Sequence, residues 1–264
     1  MTLKVSIITV CFNSEKTIRD TIDSVLSQNY PLIEYIIIDG GSTDQTMSIV
    51  KEYSDRVSII VSEADRGIYD AMNKGIALAS SEIIGMLNSD DVYVGRHVVS
   101  DLMNKMQSEN ADSVFADLLI VDPDNLDKVR RYYDSSFFSP QKFRFGWMPA
   151  HPTFFVKKSL YDKVGPYSLN YKISADYEMH IRLLWVHGAS YAYLQKPVVR
   201  MRYGGASTAS LSSNVLLNKE IVQACRANGI RTNLFLVLLK IPAKLLGLLR
   251  SRFLGAVNRH DNVQ

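Results

Sequence analysis

Three acidic positions in this chain stand where chemistry could be done. Asn88, Ser89, Asp90 and Asp91 follow Ile83–Leu87, a short apolar run without polar alternation. Such a run reads as a strand buried on both faces, hence part of a parallel sheet. Ligands of open parallel sheets sit at the carboxyl ends of the strands. Adjacent carboxylates there suit a hard divalent cation that also grips a phosphate. The same residue types also make an ordinary solvated turn. A second acid, Asp39, ends the run Ile33–Ile38 and opens Gly40-Gly41-Ser42-Thr43-Asp44. A third, Asp176, lies in Ser174-Ala175-Asp176-Tyr177-Glu178, where Ser174 is an N-cap candidate. Residues two apart on a helix point about 200° apart, so Asp176 and Glu178 cannot face one site. The residues that follow, Met179 to Val186, are apolar nearly all round, which predicts a buried helix. An acid in its first turn suits a fixed general base, and is equally what the helix dipole favours.

The elements needed to hold these groups are legible in order. Leu3–Val10 reads as a first buried strand, with Asn13 or Ser14 capping a helix from Glu15 to about Gln28. Ile33–Ile38 is the second strand, Thr43 or Asp44 caps a helix to about Tyr53, and Val57–Val61 is the third strand. Ser62–Gly67 leads into a helix over Ile68–Ala79 and then the strand Ile83–Leu87. This alternation predicts a doubly wound α/β sheet with right-handed crossovers, which puts Asp39, Asp90 and the Asn13 region on one edge. Asp65, Arg66 and Asn73 lie on the approach to that edge. No GxGxxG follows the first strand and no GxxxxGK[ST] occurs, so neither a dinucleotide fingerprint nor a P-loop is present. Any phosphate chemistry then falls to a metal.

Past Asp91 the spacing predicts a helix over 96–107 and two strands, 113–121 and 129–133, joined by a turn. Residues 135–152 are aromatic and irregular, suited to core or to a sugar-stacking platform. A short strand over 153–156 and a helix over 157–164 follow. Two closing strands are expected at 190–194 and 198–203, the second with Arg200 and Arg202 on a wet face. Gly204–Thr208 has the composition of a loop able to cover a site. A helix is expected from Ser213 to Asn228.

Hydrophobic residues make up 47% of the 264 residues and charged ones 22%, the balance of a globular protein with a sizeable core. Cys11 and Cys225 are far apart and form no CxxC, which favours a reducing compartment. Met1–Lys4 enters a strand pattern directly rather than a signal-peptide pattern, so secretion is not expected. Between Ile221 and His260 stand seven Lys or Arg and no acid. Their interleaving with leucines over residues 231–256 suits a helix lying on an anionic membrane surface, or a tail packed on the body or a partner. The run is too short to span a bilayer. Leucines rather than aromatics dominate among the basic residues, with only Phe235 and Phe253 over 231–256, which argues against nucleic acid.

The segments VSIITVCFN, IIIDGGSTDQT, SEADRGIYDAMNKGI, IIGMLNSDD, HPTFF and ISADYEMHIRLL, in that order over about residues 3–210, resemble the family 2 glycosyltransferases. The resemblance implies a GT-A-like α/β fold. Its central, mostly parallel sheet would carry a Rossmann-like nucleotide-sugar-binding half (1–95) and an acceptor and catalytic half (96–210), with a helical, basic amphipathic tail (211–264). It assigns nucleotide-sugar binding to Thr9, Cys11, Asn13, Asp39, Ser42, Asp65, Arg66, Asn73, Asn88 and Ser89, with Asp39 reading the base edge. The family's Asp-x-Asp metal motif falls on Asn88-Ser89-Asp90, so its first acid is an amide here. Asp90, supported by Asp91, would hold Mn²⁺ or Mg²⁺. Asp176 matches the general base, and His151 and Glu178 fall near the acceptor or donor sugar. The implied activity is inverting transfer of a hexosyl or N-acetylhexosaminyl group from a nucleoside-diphosphate sugar, UDP by default. The implied acceptor is a saccharide or lipid-linked saccharide, in bacterial surface-polysaccharide synthesis. The implied location is cytoplasmic, peripheral on the inner membrane face through the tail. A sugar-1-phosphate nucleotidyltransferase would want a Gly-rich loop after the first strand, and VCFNSEK has none. A catalytically degenerate nucleotide-sugar-binding module is the reading that Asn88 motivates.

Overall fold

The computed structural model describes residues 2–204 and 211–240. Its first half is the expected alternation. β1 (Val5–Cys11), β2 (Ile33–Asp39), β3 (Ile59–Ser62) and β4 (Ile83–Met86) lie parallel in the order β3-β2-β1-β4. The crossovers are α1 (Ile18–Leu26), α2 (Thr46–Lys51) and α3 (Ile68–Leu78). Every residue of β1 is buried because the sheet is covered on both faces. Ile8 and Val10 pack with α3 on one face, and Val5, Ile7 and Cys11 with α1 on the other. α3 approaches the sheet closely at Gly75, where an added Cβ would stand 2.4 Å from Ile8.

The second half extends the same sheet with mixed directions. After β5 (Asp91–Tyr93) come α4 (Val98–Ser108), β6 (Ser113–Asp122), β7 (Asn125–Tyr133), β8 (Phe155–Lys157), α5 (Lys158–Val164), α6 (Ala175–Ile181) and β9 (Tyr191–Arg202). The order continues β4-β8-β6-β9-β5, with β7 pairing β6. β8 runs antiparallel to both neighbours, β9 parallel to β6, and β5 antiparallel to β9. α7 (Leu211–Ala227) and α8 (Leu234–Leu238) pack behind α6. The division expected at residue 210 therefore falls just before a helix whose Ile221, Ala224 and Cys225 join the main core.

Several local expectations are corrected. The two closing strands are one strand, β9, whose pairing to β6 shifts register between Leu194 and Pro197. Proline has no N–H for the ladder, so the pairing breaks there and resumes. Arg202 is not on a wet face but buried. The helix expected over 173–187 is α6 followed by a widened π turn, Arg182–Val186, and Trp185 and Val186 are exposed. Arg182 there reaches sideways to the carbonyls of Val164 and Pro166, at 2.6 and 2.8 Å. Neither Asn13 nor Ser14 caps α1, which starts at Ile18 after a turn onto the Ser14 carbonyl. In the aromatic stretch, Phe143 and Phe138 are core, edge-on to each other, while Phe137 is exposed. Residues 205–208 of the expected covering loop and 241–256 of the basic stretch lie outside the described residues.

Candidate active site

A cleft of about 1300 Å³ opens at the carboxyl ends of β1 and β4 and runs along the face of β5, β9, β6 and β7. Cys11, Asn13, Asp65, Asn88, Ser89, Asp90, Asp91, His151 and Asp176 line it together. Six other expected residues do not. Thr9 is buried beneath, accepting from the Tyr35 hydroxyl. Asp39 and Ser42 form the layer under the cleft. Arg66 is exposed and paired to Asp70 at 3.0 Å. Asn73 is bound through its amide to the backbone N–H and carbonyl of Tyr167. Glu178 turns to Arg182 at 2.8 Å, as the helical offset from Asp176 requires.

At the β2 end the polar atoms satisfy one another. The fully buried Asp39 carboxylate accepts from Ser62 Oγ at 2.7 Å, Ser42 Oγ at 2.5 Å and the backbone N–H groups of Gly41 and Ser42. Asn13, in left-handed backbone at φ 48°, accepts from Thr43 N at 2.9 Å and donates its own N–H to Ser42 Oγ. Asp44 bridges the Glu15 and Thr46 N–H groups. Asp65 lies against Gly40, where a Cβ would meet its carboxylate at 2.4 Å, so only glycine admits this approach. Burial, then the charge of Asp39, pushes the Cys11 thiol up, so it stays protonated.

At the β4 end the turn Asn88–Asp91 closes with Asp91 N donating to the Asn88 carbonyl at 3.0 Å. Arg202 clamps it from β9, donating Nη1 to the Asp90 carbonyl at 2.8 Å, Nε to the Pro123 carbonyl and Nη2 to the Asp20 carboxylate. Ser89 Oγ meets Ser14 Oγ at 2.8 Å. Asn88 Oδ1 and both carboxylate oxygens of Asp91 are buried without a hydrogen-bond partner. Burial raises the Asp90 carboxyl, while burial and the neighbouring charge of Asp90 hold Asp91 well above the usual carboxylate range. Arg202 opposes both shifts only in part. Orphaned hard oxygens are a donor set for a divalent cation. Among the described residues no third acid, His or Cys joins them.

Across the cleft, Asp176 stands half-buried in the first turn of α6, as its spacing predicted. Its Oδ1 accepts from Tyr177 N at 2.8 Å, with the Tyr69 hydroxyl at 3.3 Å. Burial raises its carboxyl; the nearby His151 and these two donors offset part of the rise. His151, on a 3-10 turn, is pushed down by burial despite Asp176 and places Nε2 at 3.1 Å from the Tyr167 hydroxyl. The start of α6 is held from behind. Ser174 is the N-cap by position, but its hydroxyl donates to Glu220 of α7. The buried Glu220 carboxylate also accepts the N–H groups of Lys172, Ile173 and Ser174. Neither Glu220 nor Arg202 was found from sequence. The only signal was an arginine at a strand end and a glutamate inside an amphipathic helix. Arg130, Arg131 and Tyr203, which also line the cleft, were missed for the same reason.

The sequence profile of glycosyl transferase family 2 matches residues 6–165, more than half of the chain. The chain belongs to that family. An uncharacterized glycosyltransferase of Mycobacterium tuberculosis, Rv1514c, is 35% identical over 184 residues, covering 67% of this chain and 68% of the relative. A PGL/p-HBAD biosynthesis glycosyltransferase of Mycobacterium bovis is 26% identical over 83% of this chain and 82% of its own length. Among solved structures, Staphylococcus aureus TarS 1–349 in complex with UDP-GlcNAc superposes with TM-score 0.67 at 19% identity, covering 87% of this chain and 68% of that one. The mannosyltransferase PcManGT of Pyrobaculum calidifontis, in complex with GDP-Man and Mn²⁺, gives 0.63 at 17% identity, over 97% and 76%. The glycosyltransferase thus has the GT-A fold. Among the described residues no helix is long and apolar enough to cross a membrane.

Proposed function

We propose that this glycosyltransferase moves a hexosyl or N-acetylhexosaminyl group from a UDP-sugar to a saccharide hydroxyl, with inversion, and that Asp176 is its base. The observation that carries the reading is the pairing within one cleft of Asp176 with the orphaned oxygens of Asn88 and Asp91. Asp90 and Asp91, with Asn88 Oδ1, would hold Mn²⁺ or Mg²⁺, and the donor diphosphate would complete the ligand set. When bound, the cation neutralises charge growing on the departing nucleoside diphosphate.

The chain's own residues do the rest. Asp176 takes the proton of the acceptor hydroxyl as that oxygen attacks the anomeric carbon. The carbon–oxygen bond to the diphosphate breaks on the opposite side, so an α-linked donor yields a β-glycoside. The raised Asp176 carboxyl makes it a stronger base than an ordinary aspartate. Neutral His151 and Tyr167 fill the space beside it and limit water. Asn13, Asp44 and Asp65 frame the nucleotide, while Asp39 positions that frame from beneath. UDP is the nucleotide proposed because the TarS neighbour holds UDP-GlcNAc, and GDP, held as GDP-Man by the PcManGT neighbour, is the second donor to screen. Thermal-shift screening in Mn²⁺ should show a rise in melting temperature with a UDP-sugar. No shift with any nucleoside-diphosphate sugar would sink the reading, and a shift without any transfer would favour a degenerate binding module.

We also propose that residues 231–256 contact an anionic membrane, which would place acceptors on lipid carriers. The exposed Leu234, Phe235 and Leu239 at the start of this stretch support it. A chain ending at Ile230 should lose co-sedimentation with anionic vesicles; unchanged sedimentation contradicts it.

A further inference from the structure

Among the described residues, Arg131 in the floor of the cleft meets no counter-charge. Arg131, Ile120, Met201 and Asp91 pair in register across β7, β6, β9 and β5, and all four line the cleft. With strands spaced about 4.8 Å apart, the backbone of Arg131 stands roughly 14 Å from that of Asp91. The floor between them is apolar. The pairing of β7 with β6 shifts by one residue beside this row, leaving Arg130 without a partner on β6. A bulge of that kind re-aims side chains, and here Arg130 and Arg131 both reach the cleft.

The two arginines differ. Arg130 is neutralised, donating Nη2 to Asp122 at 2.7 Å and lying over the Tyr203 ring. Arg131 is half-buried and lies over the Tyr133 ring at 5.6 Å. Among the described residues its side chain pairs with no carboxylate and donates no hydrogen bond. Burial lowers its pKa, the mark of a charge taken partly out of water without repayment. A guanidinium stays ionised even so, and its planar fork matches a carboxylate or phosphate bidentately. The Tyr133 ring that Arg131 covers is anchored by its hydroxyl to the Met148 carbonyl at 2.9 Å, which ties Arg131 to the segment that carries His151.

We propose that the acceptor saccharide carries an anionic group, phosphate or carboxylate, and that Arg131 binds it while Asp176 faces the attacking hydroxyl. Arg131 is then a specificity-determining residue. The inference rests on the reading of Asp176 as the acceptor's base. Calorimetry of the full-length protein, saturated with UDP and Mg²⁺, separates the two. The probes are methyl phosphate, methyl β-D-glucuronide and the neutral methyl β-D-glucoside, titrated into wild type, Arg131→Gln and Arg131→Lys. One of the anionic probes should bind the wild type about tenfold more tightly than Arg131→Gln, with Arg131→Lys between, and the neutral glucoside should not distinguish them. Which anion responds tells phosphate from carboxylate. If neither anion distinguishes wild type from Arg131→Gln, the proposal is overturned. It is overturned equally if the substitution weakens UDP binding itself, for Arg131 then serves the donor. If wild type binds no UDP, the donor reading fails, and the same titrations on the free protein still decide Arg131.

Discussion

At the β2 end of the cleft Asp39 has five hydrogen-bond donors on its carboxylate, the Cys11 thiol among them; at the β4 end, Asp91 has none on either oxygen. Both acids end or begin a strand, and both are buried to about the same degree, 0% and 1% exposed. The difference lies in what is left to be supplied. The first acid is a finished piece of scaffold that shapes a rigid surface. The second has been carried out of water with its ligand positions open, which a folded protein tolerates where something else is to bind.

Substitutions sharpen or break this contrast. The largest effect is expected at the reacting end. Asp176→Asn should lower transfer about 10²–10⁴-fold while keeping the donor-induced thermal shift. Because burial raises the Asp176 carboxyl, the folded state holds that proton to higher pH than the unfolded chain does. The charged form therefore weakens the fold. Asp176→Asn should melt higher than wild type at neutral pH, and the difference should vanish as pH falls below about 4, the ordinary aspartate value. Wild-type kcat/KM should fall with decreasing pH through a midpoint above that value. Equal turnover in the variant would remove Asp176 from the mechanism.

Next comes Glu220→Ala. It strips acceptors from three backbone N–H groups and one hydroxyl, a loss of about 3 kcal/mol. A melting temperature lower by about 6–12 °C should accompany a kcat drop with KM for donor little changed. The smallest effects test the contrast directly, and they should have opposite signs. Asp91→Asn removes an orphaned charge and should raise the metal-free melting temperature by about 2–6 °C while abolishing the Mn²⁺-dependent shift by donor. Ser62→Ala removes one donor from Asp39 and should lower it by about 2–4 °C. If both substitutions destabilise alike, the two ends do not differ as described.

What the sequence disclosed follows the same division. β1, β2, β4 and α3 were readable because continuous apolar runs and a helical stripe are imposed by burial, and burial is written locally. The turn after β4 and the acid in the first turn of α6 followed from strand and helix ends. Glu220, Arg202 and Arg131 were not readable, since each acts on a segment distant in the chain. A glutamate on an exposed helix face and one on a buried cap have the same neighbours in sequence. The continuity of β9 across residues 195–197 was not readable, since it is set by the resumed pairing with β6 and not by the local sequence. Asp39 was expected to face a ligand, and the serines that occupy it, Ser42 and Ser62, became its partners only through folding.

The Glu220 contact also bears on modularity. Family 2 similarity reaches residue 165, and a designer exchanging acceptor preferences between relatives would be inclined to cut near residue 210. Such a hybrid would bring a foreign helix to the peptide groups of Lys172–Ser174 and leave the seat of Asp176 without its matched acid. Recombination that respects this molecule has to inherit α6 and α7 from one parent.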